Sequence, residues 1–101
     1  MADRERLPNR RASVTLDFEH VGLRYSVTFS CFADGRPGEV FLNNDKHSSQ
    51  SDMWARDCGI LASFCLQHGV PLEEIRNALE RDGAGQPTSP IGVTLDMIAK
   101  G

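Results

Sequence analysis

The chain has 101 residues, a formal net charge of −3 and 40% apolar residues, a composition typical of one small globular domain. No stretch approaches the roughly 20 apolar residues of a membrane-spanning helix, and no apolar run typical of an export signal follows the first charged residues. Three cysteines, an odd number, favour reduced thiols. We therefore expect a cytoplasmic protein without membrane contact.

Basic residues are concentrated at the start of the chain, whereas the rest of it is acidic. Residues 1–11 sum to +2 and the remaining residues to −5, so the body is poorly suited to wrapping nucleic acid. Because residues 1–12 include Pro8 and have no hydrophobic period, they are predicted to form an extended or mobile basic arm. The arm is either a solubilising tail or a tether for an acidic protein surface or a phosphate backbone. Its candidate binding residues are Arg4, Arg6, Arg10 and Arg11.

Two segments with a period of two residues follow the arm. Polar and apolar side chains alternate over residues 13–19 and again over residues 23–31, which predicts two half-buried strands. The Val-Gly pair at residues 21–22 predicts a tight turn between them, and hence an antiparallel hairpin. Residues 34–38 have turn chemistry at almost every position, and residues 39–42 predict a short third strand.

Residues 51–68 are predicted to form the central helix of the fold. Apolar residues recur there at steps of four, three and four, which places them on one face of a helix. That face consists of Trp54, Cys58, Leu61 and Cys65, and it is widened by Met53, Ile60 and Phe64. We expect it to be buried against the predicted sheet. Ser49 or Ser51 is the expected N-cap, and Gly69 is expected to end the helix.

Two shorter helices are predicted after the central one. Pro71 suits the first turn of a helix, and Ser89-Pro90 suits the start of another. Their apolar stripes are Leu72, Ile75 and Leu79 in the first helix and Ile91, Leu95 and Ile98 in the second. The predicted fold class is therefore α+β. It consists of a three-stranded antiparallel β-meander followed by two to three helices packed on one face, in a single domain over residues 13–101.

Several short motifs occur in an order that resembles a known protein family. A basic Leu-Pro segment at residues 6–11 precedes the hairpin, the turn and third strand read DGRPGEVFL at residues 34–42, and a helix end and restart read LQHGVPL at residues 66–72. This order is similar to that of the TSCPD-type domain, the region after the catalytic barrel of adenosylcobalamin-dependent ribonucleotide reductases. The resemblance covers nearly the whole chain.

The resemblance implies an accessory role and not catalysis by these residues. In the full reductases the radical chemistry lies in the barrel, and a terminal Cys pair recycles the active-site disulfide. Neither has a counterpart in this sequence, and the family's Thr-Ser-Cys-Pro-Asp stretch reads Thr88-Ser89-Pro90 here, without the Cys or the Asp. We therefore expect a free-standing, non-catalytic binding or regulatory module that acts through protein contacts. Ribonucleotide reductase or another protein is the expected partner.

Catalytic or metal-binding chemistry has weaker support in the sequence. If the helix covered the sheet, Cys31, Cys58, Cys65 and His68 would converge as a zinc site. No Cys-x-x-Cys motif is present, however, and buried free cysteines commonly behave as small hydrophobes. His47 lies in a polar loop without a visible nucleophile or orienting partner. We expect no catalytic residue, no metal and no cofactor.

Two further surface features are candidate sites. The Gly-rich turn at residues 34–38 could cradle a phosphate together with Arg36, although it does not open onto a helix as phosphate-binding loops do. Phe32 and Phe41 are expected on the sheet face away from the helices, where they would form a homodimer surface. The alternative function is therefore nucleic-acid or nucleotide binding through the arginine arm and Arg36.

Overall fold

The fold is a three-stranded sheet followed by three helices, in a computed structural model that describes residues 3–9 and 12–100. The strands are β1 (Ser13–His20), β2 (Leu23–Cys31) and β3 (Pro37–Asn44), and they form one antiparallel sheet in the order β1-β2-β3. The helices are α1 (Gln50–Gln67), α2 (Leu72–Ala78) and α3 (Pro90–Lys100). The predicted α+β arrangement is confirmed. Over the described ranges, no helix combines the length and apolar character needed to cross a bilayer.

The β1–β2 hairpin turns at the two residues that the sequence predicts. His20 pairs with Leu23, so Val21 and Gly22 form a two-residue loop in which both backbone φ angles are positive, at 51° and 76°. Positive φ at both positions is the geometry of a type I′ turn, whose twist matches that of the flanking strands. Gly22 adopts this geometry without steric cost, whereas the β-branched Val21 is strained in it.

Strand β3 is two residues longer at each end than predicted, since it begins at Pro37 and ends at Asn44. Asn43 and Asn44 pair with Ser26 and Tyr25, although their polar side chains are typical of a loop. The backbone N–H of Asn44 also lies 2.9 Å from a carboxylate oxygen of Asp52, to which it donates a hydrogen bond. Contacts from a distant part of the chain therefore override the low strand propensity of asparagine here.

The core lies between the sheet and the helices. Alternate residues of β2 and β3 point inward, and Val27 and Leu42 are at most 1% exposed. Leu95 and Ile98 are buried in the same cluster, which confirms the predicted apolar stripe of α3. The predicted stripe of α2 also packs against this cluster, with Leu72, Ile75 and Leu79 partly buried.

Charged side chains tie α2 and the connector after it to α3. The Asp96 carboxylate accepts hydrogen bonds from Arg76 Nε at 2.9 Å and from Arg81 Nη2 at 2.7 Å. Arg76 also pairs with Glu73 one turn earlier in α2. Hydrogen bonds from Arg81, and then from Arg76, lower the pKa of Asp96 to about 2. The carboxylate is therefore ionised at neutral pH.

Candidate functional site

Helix α1 presents the opposite face to the sheet from the one predicted. Apart from Leu66 near its end, its buried residues are small or polar, whereas Trp54 and Leu61, two residues of the predicted core face, are each 64% exposed. Cys58 and Cys65, the other two, are half-buried. The prediction that the large apolar residues of this helix form the core is therefore wrong. The residues of α1 that do face the sheet are Asp52, Ala55, Gly59, Ala62, Ser63, Leu66 and Gln67.

A very close approach of α1 to β3 explains this orientation. A Cβ atom on Gly59 would lie only 3.1 Å from the carbonyl oxygen of Val40 and 3.2 Å from the amide nitrogen of Leu42. One turn further along, the Ser63 hydroxyl accepts a hydrogen bond from the Val40 backbone N–H at 2.8 Å. At Gly59 and Ser63, side chains as large as tryptophan or leucine do not fit between the two backbones. The small residues therefore face the sheet, and the large residues face solvent.

The start of α1 is fixed by a network of hydrogen bonds. The N-cap is Ser49, one of the two predicted residues, whose hydroxyl accepts from the Asp52 backbone N–H at 3.2 Å. The buried Asp52 carboxylate accepts in return from the backbone N–H groups of Asn44 and Ser48, at 2.9 and 3.1 Å. These bonds, the one from Asn44 above all, lower the pKa of Asp52. The helix is thereby clamped to the end of β3, which sets the direction of its outward face.

The outward face of α1 carries five exposed apolar side chains, which we call the outer ridge. Its members are between 44% and 64% exposed: Met53, Trp54, Ile60, Leu61 and Phe64. With side chains of 150–250 Å² each, the exposed fractions sum to roughly 400–700 Å². Patches of roughly 300–600 Å² are the largest that monomeric soluble proteins usually expose, and they are frequently functional.

Two opposite charges lie at different points along the outer ridge. Asp57 lies within it, is exposed, and forms no ion pair with any residue in ranges 3–9 and 12–100. The Arg4 guanidinium lies over the Phe64 ring, 4.5 Å from its centroid, at the C-terminal end of the ridge. The ridge therefore has a negative charge near Trp54 and a positive charge beside Phe64.

The described part of the basic arm lies against the domain. The Glu5 backbone N–H donates to the carbonyl oxygen of Gln67 at 2.7 Å, and Arg4 Nε donates to the Gln67 side chain. Gln67 is buried and donates in turn to the Gly38 carbonyl oxygen at 2.7 Å. These residues of the arm therefore contact the domain, and residues 4–7 line an open groove of about 430 Å³. Arg6 is exposed in that groove, whereas Arg10 and Arg11 lie outside the described residues.

Arg36 is held by neighbouring acids and an aromatic ring. Its guanidinium donates to the Glu5 carboxylate at 3.0 Å and to Asp34 at 2.7 Å, and it lies 4.7 Å from the centroid of the Phe32 ring. These bonds, the one to Asp34 first, raise the pKa of Arg36. The predicted phosphate cradle at this turn therefore has its cation already paired with two carboxylates.

The two phenylalanines predicted for a dimer surface are in different environments. Phe32 is 5% exposed and packs on Gly38, where a Cβ would lie 2.7 Å from its ring. It is therefore part of the interior of the chain and not of an exposed face. Phe41 is 52% exposed on the outer face of the sheet, as predicted. Its cross-strand neighbour there is the polar Thr28, so this face offers little apolar area around Phe41.

An apolar pocket adjoins the outer ridge at Trp54. It has a volume of about 530 Å³ and lies between the hairpin turn, the first half of α1 and the start of α3. At the rim of the pocket, His20 Nε2 lies 3.2 Å from the Thr88 carbonyl oxygen. Burial, with a contribution from the Asp57 carboxylate, raises the pKa of the Cys58 thiol in its wall, so the reactive thiolate is disfavoured.

The cysteines do not form the zinc site that the sequence left as an alternative. In the described part of the chain, no three His, Cys, Asp or Glu side chains lie close enough together to hold a metal ion. All three cysteines are free and half-buried. His68 Nδ1 lies 2.8 Å from the Phe64 carbonyl oxygen at the end of α1, so its ring caps the helix there.

Sequence reasoning missed the outer ridge as a surface because it treated a large apolar stripe as core. A second stripe was present in the same helix, formed by the small residues Ala55, Gly59 and Ala62 at steps of four and three. A glycine at the centre of a small-residue face indicates close approach to another backbone. That signal could have assigned the large residues to solvent.

These features define a class of protein: a small α+β domain whose central helix packs tightly on its own sheet and exposes a large apolar face. A family model described as the TSCPD domain matches residues 4–101, and the chain belongs to this family. The family predicted from residues 6–11, 34–42 and 66–72 is thereby confirmed.

Three curated relatives are larger proteins of one kind. The chain is 39% identical over 74 residues to the vitamin B12-dependent ribonucleotide reductase of Rhodopirellula baltica, covering 73% of this chain and 7% of that protein. It is 38% identical over 72 residues to the reductase of the same name from Agrobacterium fabrum, covering 71% of this chain and 6% of that protein. It is 32% identical over 78 residues to the reductase of the same name from Bradyrhizobium diazoefficiens, covering 77% of this chain and 6% of that protein. The chain thus spans 6–7% of the length of these relatives. No solved structure gives a significant match.

Proposed function

We propose that this chain is a non-catalytic binding module of the TSCPD family that acts through protein–protein contacts. The observation that supports the proposal is the outer ridge, which exposes five large apolar side chains along one helix. Large exposed apolar patches bordered by polar residues are typical of interaction sites. The raised pKa of Cys58 also disfavours a nucleophilic role for this thiol, which lies on the same helix as the ridge.

The outer ridge has the properties of one side of a protein–protein interface. Its residues lie on a helix whose other face is fixed to β3 through Ser63 and clamped to the end of that strand by Asp52. A surface held this rigidly loses little conformational entropy when a partner covers it. Tryptophan, which is present in the ridge, is among the residues that contribute most to binding at protein interfaces, and phenylalanine is enriched there.

Nucleic-acid binding through the arginine arm is the less favoured function. Arg36 is paired with Glu5 and Asp34, and Arg4 contacts Phe64 and Gln67. Arginines that neutralise phosphates must be available to replace counterions, and these two already have partners in the chain.

Site-specific photo-crosslinking in cells that express the protein tests the proposal. A photoreactive phenylalanine analogue is introduced at Leu61 on the ridge or, as the matched control, at Phe41 on the outer sheet face, since both positions are more than half exposed. We expect a discrete protein adduct from position 61 and none from position 41. The adduct is identified by mass spectrometry, and a ribonucleotide reductase or any other polypeptide supports the proposal. No adduct from position 61, or equal adducts from both positions, would contradict it.

A further inference from the structure

We infer that the outer ridge is covered by a second copy of this chain, with the two α1 helices packed antiparallel about a two-fold axis. The inference rests on the proposed function, because it names the partner of the same surface. Three observations support it: the apolar area, the spacing of the ridge along the helix and the distribution of charge.

The exposed area of the ridge is close to what a small symmetric interface needs. A standard interface buries roughly 800 Å² on each partner, with an apolar centre and a polar rim. The ridge supplies roughly 400–700 Å² of apolar area, and the polar residues that flank it supply the rim. In a two-fold dimer the same patch is used twice, so one ridge is sufficient for both halves of the interface.

The spacing of the ridge is that of a helix–helix seam. Met53 and Ile60 are seven residues apart, and so are Trp54 and Leu61. A seven-residue repeat keeps apolar residues on one line along a helix, which is the pattern of helices that pack lengthwise on one another. At 1.5 Å per residue, the ridge from Met53 to Phe64 is about 16 Å long, which is enough for three turns of contact.

The charges on the ridge favour the antiparallel arrangement. Antiparallel packing places the Phe64 end of one ridge beside the Trp54 end of the other. Arg4, which lies over Phe64, is then near Asp57 of the second copy, since Asp57 is one turn from Trp54. The pairing occurs twice, once on each side of the axis. Parallel packing would instead place each Asp57 level with Asp57 of the second copy. Like charges at such a short distance repel each other, which is unfavourable.

Sedimentation equilibrium of the full chain between about 1 and 100 μM tests the inference. We expect a mass of twice 11.2 kDa at the upper concentrations. Leu61→Asp introduces two charges into the centre of the seam and should raise the dissociation constant at least about 100-fold. Phe41→Asp, the matched substitution on the outer sheet face, should leave it unchanged within about threefold. Far-UV circular dichroism verifies that each variant is folded.

A charge exchange tests the geometry independently of any loss of apolar contact. Arg4→Glu and Asp57→Arg should each weaken the dimer, by about 3- to 10-fold for two exposed ion pairs. The double variant should recover an affinity within about threefold of wild type, because the pairing between copies is restored with exchanged signs.

The results also separate this inference from the proposed function. A monomer at 100 μM, or a dimer that Leu61→Asp leaves intact, would overturn the inference. If the monomer is accompanied by a cross-link from position 61 to a different polypeptide, the proposed function stands and the second copy is not the partner. If position 61 forms no adduct at all, both fail. A dimer that depends on Leu61 and is rescued by the charge exchange supports both.

Discussion

The contact between α1 and β3 predicts the effect of Gly59→Ala, a substitution in which two effects oppose each other. Alanine in a helix interior is about 1 kcal/mol more favourable than glycine if there is room for its methyl group. Here the new Cβ would lie 3.1 Å from the Val40 carbonyl oxygen and 3.2 Å from the Leu42 nitrogen, which are both backbone atoms of a paired strand. Neither atom can move without moving β3, and overpacking of this kind costs about 1–3 kcal/mol. The net expectation is a loss of about 1 kcal/mol in the free energy of unfolding.

Urea unfolding followed by far-UV circular dichroism measures this change, at one fixed protein concentration because self-association would add to apparent stability. Gly83→Ala is the matched control, since its added Cβ would meet no atom within 4 Å and its φ is not positive. This control should gain about 0.4–1 kcal/mol, because alanine restricts the unfolded chain. A Gly59→Ala variant that gains stability as the control does would refute the close approach, and with it the reason given for the outward direction of the ridge.

Two further substitutions test the hairpin and the charged network. Val21→Asn should raise the free energy of unfolding by about 1 kcal/mol and the melting temperature by about 4–8 °C. Asparagine tolerates positive φ, and no packing is lost because Val21 is 86% exposed. A melting temperature at or below that of the wild type would argue against the type I′ turn. Asp96→Asn should lower stability by about 1–2 kcal/mol at neutral pH after allowance for solvent screening. Because the folded pKa of Asp96 is lowered from 3.8 to about 2, its contribution is present above about pH 4 and is lost as the pH falls through 2. The wild type should therefore lose more stability than Asp96→Asn over that interval, and parallel pH curves would contradict the role of Arg76 and Arg81.

The sequence was sufficient for the order and type of the elements. Alternation in residues 13–19 and 23–31, the Val21-Gly22 turn and the Ser49 cap each depend on local backbone preferences, which act within a few residues. The additional strand residues Asn43 and Asn44 could not be predicted in this way. They are held by pairing with β2 and by Asp52.

The direction of α1 could not be decided from hydrophobicity alone. A helix with one large apolar face and one small-residue face can be buried on either, and the choice depends on how closely its neighbour approaches. Here the bonds of Ser63 to Val40 and the absence of a side chain at Gly59 decide in favour of the small face. The pairing of Arg36 with Glu5 was likewise invisible, because the two residues are 31 positions apart in the chain.

The exposure of Trp54 has a practical consequence for anyone who works with this protein in solution. It is the only tryptophan in the chain, so intrinsic fluorescence excited at the indole band reports almost entirely on one point of the outer ridge. Because the indole of a monomer is already hydrated in the folded state, unfolding a monomer should change its emission little. Covering the ridge should instead shift the emission to the blue. A fluorescence-detected transition in the wild type would then record dissociation, and its midpoint would depend on protein concentration.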